Sequence, residues 1–238
     1  GLMPLFGALV VWKPFPLKSL SLPANPKSDL LAIVNVAKWT GLATLAATLA
    51  DNIDTLMVQS FLDSFQTGLW SAAARIAAFV GIVGWSIGTV LSNRVTKYKQ
   101  LNHLNNYLSK AWKIALLSFI GLSLSMLLAG PAIYFTVGSS YLSSTMTLQL
   151  LIVASALSAA TAPFAALFYL FDRPQYYALV GILQTIVLLF CDYFAIPIFG
   201  LTGAAVVRII TKLAVLLFTL IYARQSYLDF KQNALHLS

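Results

Sequence analysis

The sequence contains no glutamate, one cysteine and two histidines, and only 9% of its residues are charged. Each scarcity closes off a class of function. A single cysteine, Cys191, permits no internal disulfide. His103 and His236 lie far apart in polar segments, so no Cys/His set has metal-ligand spacing and no metal is expected. There is no Ser/His/Asp set, no phosphate-binding Gly loop and no Walker-type segment. Neither an enzyme nor a cofactor is expected. Without an ATPase module, transport would draw on a gradient, on substrate turnover or on facilitated exchange.

What is present is apolar. Hydrophobic residues make up 59% of the 238, whereas a soluble domain carries about 25% charged residues. The excess apolar surface must face lipid. The net charge of +8 does not point to nucleic acid, because the basic residues sit in short polar segments between apolar runs. That distribution follows the positive-inside rule, with anionic lipid headgroups as partners.

The opening run, residues 1–12, has no basic residues before it and is too short to span a bilayer. It reads as the end of a truncated transmembrane helix, and the chain as a fragment of a longer protein. Residues 13–38 hold Pro14, Pro16, Pro23 and Pro26 with four lysines, and are expected to form a cytoplasmic connecting loop. Six spans are expected within residues 39–222: 39–62, 69–92, 113–137, 146–170, 178–196 and 201–222. Gly130-Pro131 is a kink candidate in the third, and Pro163 lies inside the fourth. Residues 223–238 form a polar tail.

The connecting segments alternate. Those at 13–38, 93–112 and 172–174, and the tail, carry Lys or Arg; those at 63–68, 138–144 and 197–200 carry none. The basic segments and the C-terminus are therefore expected in the cytoplasm. The second span presents Ser71, Ala74, Ala78, Gly81, Gly84 and Gly88 at helical spacing, a stripe suited to close helix packing.

Six charges fall inside the spans: Asp51 and Asp54, Arg75, Asp192, and Arg208 with Lys212. At about 1.5 Å per residue, Asp54, Arg75 and Arg208 lie roughly 10–12 Å from the outer turns, and Asp51 and Lys212 roughly 16–18 Å. A hairpin about Phe65 would set Asp54 opposite Arg75, and Asp51 matches Lys212 in depth. Asp51/Asp54 and Arg208/Lys212 each share a helix face, which should point at the bundle interior or a wet cavity. Structural ion pairs and a transport path for a charged substrate are both open readings. Pairing suits Asp54 and Arg75; two like charges on one face suit a substrate path at Arg208 and Lys212.

The stretch from Asp51-Asn-Ile-Asp54 to Leu62, followed by Thr67-Gly68-Leu-Trp-Ser-Ala-Ala-Ala-Arg75, resembles the start of the C-terminal half of polysaccharide flippases. These belong to the multidrug/oligosaccharidyl-lipid/polysaccharide exporter superfamily. Gly138-Ser-Ser-Tyr141, Arg173-Pro174 and Gly200-Leu-Thr-Gly203-Ala-Ala205 resemble later turns of the same half. The resemblance implies an all-α integral membrane protein: a six-helix transmembrane lobe of a MATE-like two-lobed flippase, plus the end of one preceding helix. It implies a missing N-terminal lobe as partner, undecaprenyl-pyrophosphate-linked oligosaccharide as substrate and the bacterial plasma membrane as location. Arg75, Arg208 and Lys212 would be candidates for the substrate cavity. An ion-coupled antiporter of the same superfamily is the alternative, with Asp51 or Asp54 as the ion site. A non-transporting assembly subunit is a third.

The charge asymmetry makes topology testable. A cysteine placed at Ser140 should react with a membrane-impermeant thiol reagent from outside intact cells, and one at Lys99 only after the membrane is breached. The reverse pattern would invert the orientation.

Overall fold

The computed structural model describes residues 26–95, 101–170 and 174–236. Among these every regular element is helical and no strand occurs. Residues 1–38 and 39–238 are separate compact units, and the packing that follows is that of the second. Helix α1 spans Pro26–Phe61, α2 Ser64–Val95 and α3 Leu101–Leu124. A 3-10 turn at Ser125–Leu128 leads into α4, Ala129–Thr136. A second 3-10 segment, Ser139–Ser144, leads into α5, Thr145–Ala165; the short α6 covers Leu167–Leu170 and α7 covers Pro174–His236.

Four stretches are long and apolar enough to cross a membrane: Ser64–Leu91, Tyr107–Thr136, Ser139–Ala165 and Ala178–Leu228. The last holds 51 residues, about 77 Å as a straight helix and more than twice a bilayer's roughly 30 Å core. It is not straight. Gly200 has φ 60° and ψ −142°, backbone that a side chain resists, and Pro197 withholds an N–H just before it. The chain doubles back there. Tyr176 and Tyr222 stack with ring centroids 4.5 Å apart, and Leu188 joins Val207 in one cluster with Ala50. Two antiparallel arms, 174–199 and 201–236, result. Gly203 is required at the crossing, since a Cβ there would lie 2.6 Å from the Ala195 carbonyl oxygen.

The helices outrun the expected spans at their basic ends. α1 starts at Pro26, where a loop to Lys38 was expected; proline at the first helical position needs no N–H partner. Likewise α2 continues to Val95, α3 begins at Leu101 rather than Lys113, and α7 carries the expected tail to His236. Hydropathy marks where lipid ends, not where a helix ends. The opening run 1–12 and the Arg173 turn lie outside the described residues.

The bend in the third span comes at Ser125–Leu128, ahead of Gly130-Pro131. Pro131 falls in the first turn of α4, where its missing N–H costs little. The fourth span breaks at Ala166, three residues after Pro163. The break frees terminal carbonyls, and Tyr107 Oη donates to that of Pro163 at 2.6 Å.

The three turns without Lys or Arg gather at one end. Asp63 caps α2, its Oδ1 accepting from the Gln66 N–H at 2.7 Å. Tyr141 lies 3.8 Å from where a Gly68 Cβ would be, and Gln66 lies 3.9 Å from the same point at Gly200. Past the end of α4, Val137 and Gly138 (φ 104°) both donate to the Ile133 carbonyl, at 2.9 and 3.1 Å.

The most buried helix is α5, packed against α2, α3 and the α7 hairpin. Phe79, Leu117, Phe135 and Phe199 point outward and are mostly exposed, as lipid-facing side chains should be. The stripe on α2 divides in two. Gly84 and Gly88 meet Ala159 and Ala162 of α5, whereas nothing lies within 4 Å of a Cβ at Gly81. A Cβ at Gly84 would fall 2.6 Å from that of Ala159. Gly84→Ala is therefore expected to destabilise the bundle by about 1–3 kcal/mol, read by unfolding in detergent, while Gly81→Ala leaves it unchanged.

Candidate functional site

Ala46, Ala50, Asp54 and Val58 recur every four residues on α1 and are all buried. Three of the four are apolar and two are alanine, so this face takes the α7 hairpin at close range. The first arm reaches it through Thr185, whose Oγ1 donates to the Ala46 carbonyl at 3.0 Å. The second arm reaches it through Arg208. Nη2 of Arg208 donates to the Asp51 carbonyl at 3.0 Å and to that of Ala50 at 3.5 Å. Its Nε lies 3.1 Å from Oδ2 of Asp54, and Nη2 lies 3.5 Å from Oδ1 of Asp51.

The two aspartates differ sharply. Asp54 is fully buried, whereas the Asp51 side chain is 67% exposed. The Asp54 contact is an ion pair without hydrogen-bond geometry, for neither of its carboxyl oxygens has a hydrogen-bond partner. Asp192 of the first arm is also fully buried with both oxygens unpartnered. Its neighbours Leu188, Cys191 and Ala195 pack in one cluster with Ala50 and Ile53 of α1, the neighbours of Asp54. Asp192 and Arg208 each stand eight residues from Gly200, which puts them at one depth, roughly 12 Å from the turn. One layer thus holds Asp54, Asp192 and Arg208.

The expected partnership of Asp54 with Arg75 does not form. The depth is matched, but the direction is wrong. Trp70 of α2 points at α1, its Nε1 donating to Thr55 Oγ1 at 3.1 Å. Arg75 comes five residues later, about 140° further round the helix, and is exposed. The depth match of Asp51 with Lys212 is kept without an ion pair: both line one cavity with Arg208.

That cavity has a volume of about 690 Å³. Ala74, Ala78 and Gly81 of α2 form one wall, and Ser155, Ser158 and Thr161 of α5 another. The α7 arms contribute Gln184, Arg208, Lys212 and Thr219. The hydroxyls are spent on backbone: Thr161 donates to Leu157 and Thr219 to Val215, at 2.8 and 2.7 Å. Ser155 reaches across to Ala77 at 3.4 Å. The wall is therefore mostly apolar, with Ile82, Trp85, Leu151, Phe168 and Val215 beside the small residues, and its charges are Arg208, Lys212 and Asp51. Such a chamber can take an amphipathic solute with an anionic group.

Gln184 and the hydroxyl line on α5 were not singled out by sequence reasoning. Their signal was present, as a lone amide among apolar residues of the fifth span and as Ser155, Ser158 and Thr161 at three-residue steps. Among the described residues no three ligating side chains gather as for a metal ion.

Removing one partner of a buried pair leaves an uncompensated charge and costs about 3–5 kcal/mol. Arg208→Leu should lower unfolding stability in lipid or detergent on that scale, and Arg208→Leu with Asp54→Leu should recover most of the loss. Arg75→Leu should stay within about 0.5 kcal/mol of the parent. No protein-family model, curated relative or solved structure matches the chain, so its function has to be read from this chamber.

Proposed function

We propose that this chain forms one lobe of a flippase that carries lipid-linked oligosaccharide across a bacterial plasma membrane by alternating access. Six crossing helices make up the lobe when α1 and both α7 arms are counted with the rest. The observation that carries the reading is Lys212 together with Arg208 in a chamber of about 690 Å³ within the bundle. Among the described residues no carboxylate lies within 4 Å of Lys212. A cation at membrane depth without a fixed counter-charge needs a mobile one. The pyrophosphate of undecaprenyl-pyrophosphate-linked oligosaccharide meets that need, and the largely apolar wall suits its lipid portion.

A second lobe is part of the proposal. Asp51 is two-thirds exposed beside Thr44, Thr48 and Asn52, and Arg75 is exposed on α2. Lipid would not tolerate these faces at membrane depth. A facing lobe would cover them and close the chamber. The second reading, an ion-coupled antiporter, is favoured by one observation, the two buried carboxyls behind Arg208.

The test is flipping of lipid-linked oligosaccharide in reconstituted vesicles, or complementation of an export-deficient strain, by the complete two-lobed protein at matched expression. A lost charge-assisted hydrogen bond costs about 1.5–3 kcal/mol, so Arg208→Ala and Lys212→Ala should each lower transport about tenfold or more. Full activity in both variants defeats the proposal. Gradient-dependent export of small cations in place of glycolipid selects the antiporter.

A further inference from the structure

Asp54 and Asp192 are the least explained groups in the bundle. Both side chains are fully buried, and their four carboxyl oxygens have no hydrogen-bond partner. The two carboxyls come from helix faces that pack together, Ala50 and Ile53 of α1 against Leu188, Cys191 and Ala195 of the first α7 arm, and each sits within one turn of that contact. Among the described residues the charges placed near them are Asp51, one turn before Asp54 on α1, and Arg208 and Lys212 on the second α7 arm, all three on the chamber. Arg208 touches Asp54 but is shared with Asp51 and two backbone carbonyls. Leu188, Ala50 and Val207, from the same three segments, form an apolar cluster. Two adjacent carboxylates in such surroundings repel strongly, and a proton between them removes both the repulsion and the missing donor. A metal ion is a poorer occupant, because the guanidinium stands 3.1 Å from Asp54.

Arg208 also lines the chamber. It therefore has two claims on it, the carboxyl pair behind and an anion in front. We propose that Asp54 and Asp192 hold one proton between them, and that a second proton binds when an anion draws Arg208 into the chamber. This rests on the anion-carrying function proposed above. The atoms balance simply. Arg208 keeps its charge and moves from Asp54 to the anion, and a proton from water replaces that charge on Asp54. Anion and proton are taken up together, and release of one expels the other. The pair is then the device that couples loading of the chamber to a proton gradient.

Two measurements on the full chain in lipid bilayers test this. The first is the infrared stretch of protonated carboxyl groups. The chain has only seven acidic side chains, all aspartate, so the band is assignable. At neutral pH one such band is expected, shifted in D2O and lost in both Asp54→Asn and Asp192→Asn, while Asp51→Asn keeps it. Absence of the band, its survival in both variants, or its loss on adding sodium overturns the proposal. Should one variant fail to fold, the other and the parent decide.

The second is binding of inorganic pyrophosphate against pH. Uptake of one proton makes affinity fall by up to about tenfold per unit rise in pH. Asp54→Asn mimics the protonated state and should lack that dependence. Pyrophosphate's own titration cancels in the difference between the two proteins. Equal slopes overturn the second proton. No binding to either protein at any pH defeats the proposed function and the second proton with it, and the infrared band then decides the first alone.

Discussion

Arg208 is a permanent cation about a third of the way into an apolar bundle, and the arrangement of α1 against α7 follows from where its charge can go. Its side chain is only 14% exposed, so carboxylates and helix carbonyls largely take the place of water. α1 supplies both kinds from one turn: the carboxyls of Asp51 and Asp54, and the carbonyls of Ala50 and Asp51. That turn is reachable because Ala46, Ala50 and Val58 leave the helix face shallow. Close approach and charge burial depend on each other here. A bulkier face would hold the guanidinium off, and without the guanidinium Asp54 would be a bare buried charge.

The hairpin at Gly200 is the second condition. It folds 63 helical residues into two arms and puts Asp192 beside the Arg208 layer. The left-handed backbone at Gly200, the absent N–H at Pro197 and the contact of Gly203 with Ala195 all serve that reversal. The opposite wall is built by smallness. Gly84 and Gly88 bring α2 onto α5, and Ala74, Ala78, Gly81, Gly84 and Gly88 all border the chamber. A single stripe of small residues thus allows close helix packing and lines the chamber beside it.

Much of this was legible in the residues. Apolar runs separated by charge-free or basic turns locate the membrane stretches, because lipid excludes charge and loops do not. The same exclusion makes Asp51, Asp54, Asp192, Arg208 and Lys212 conspicuous. Their depths follow from counting residues, since the helical rise is fixed. Less legible were the helix ends. Pro26, Val95, Leu101 and His236 lie in polar sequence that remains helical, where hydropathy carries no signal.

Composition and spacing by themselves determined the solvent, the helical class and the layering of the charges, because each depends on local chemistry or on distance along one helix. Tertiary structure decided who meets whom. Arg75 and Arg208 are equivalent in depth and charge, yet one is exposed and the other holds Asp54. What separates them is azimuth: the way each helix is turned about its own axis when it packs. Trp70 turns α2 one way and the Gly200 reversal turns α7 the other. Rotation about an axis is set by the neighbours' shapes, and a single helix's sequence does not contain them.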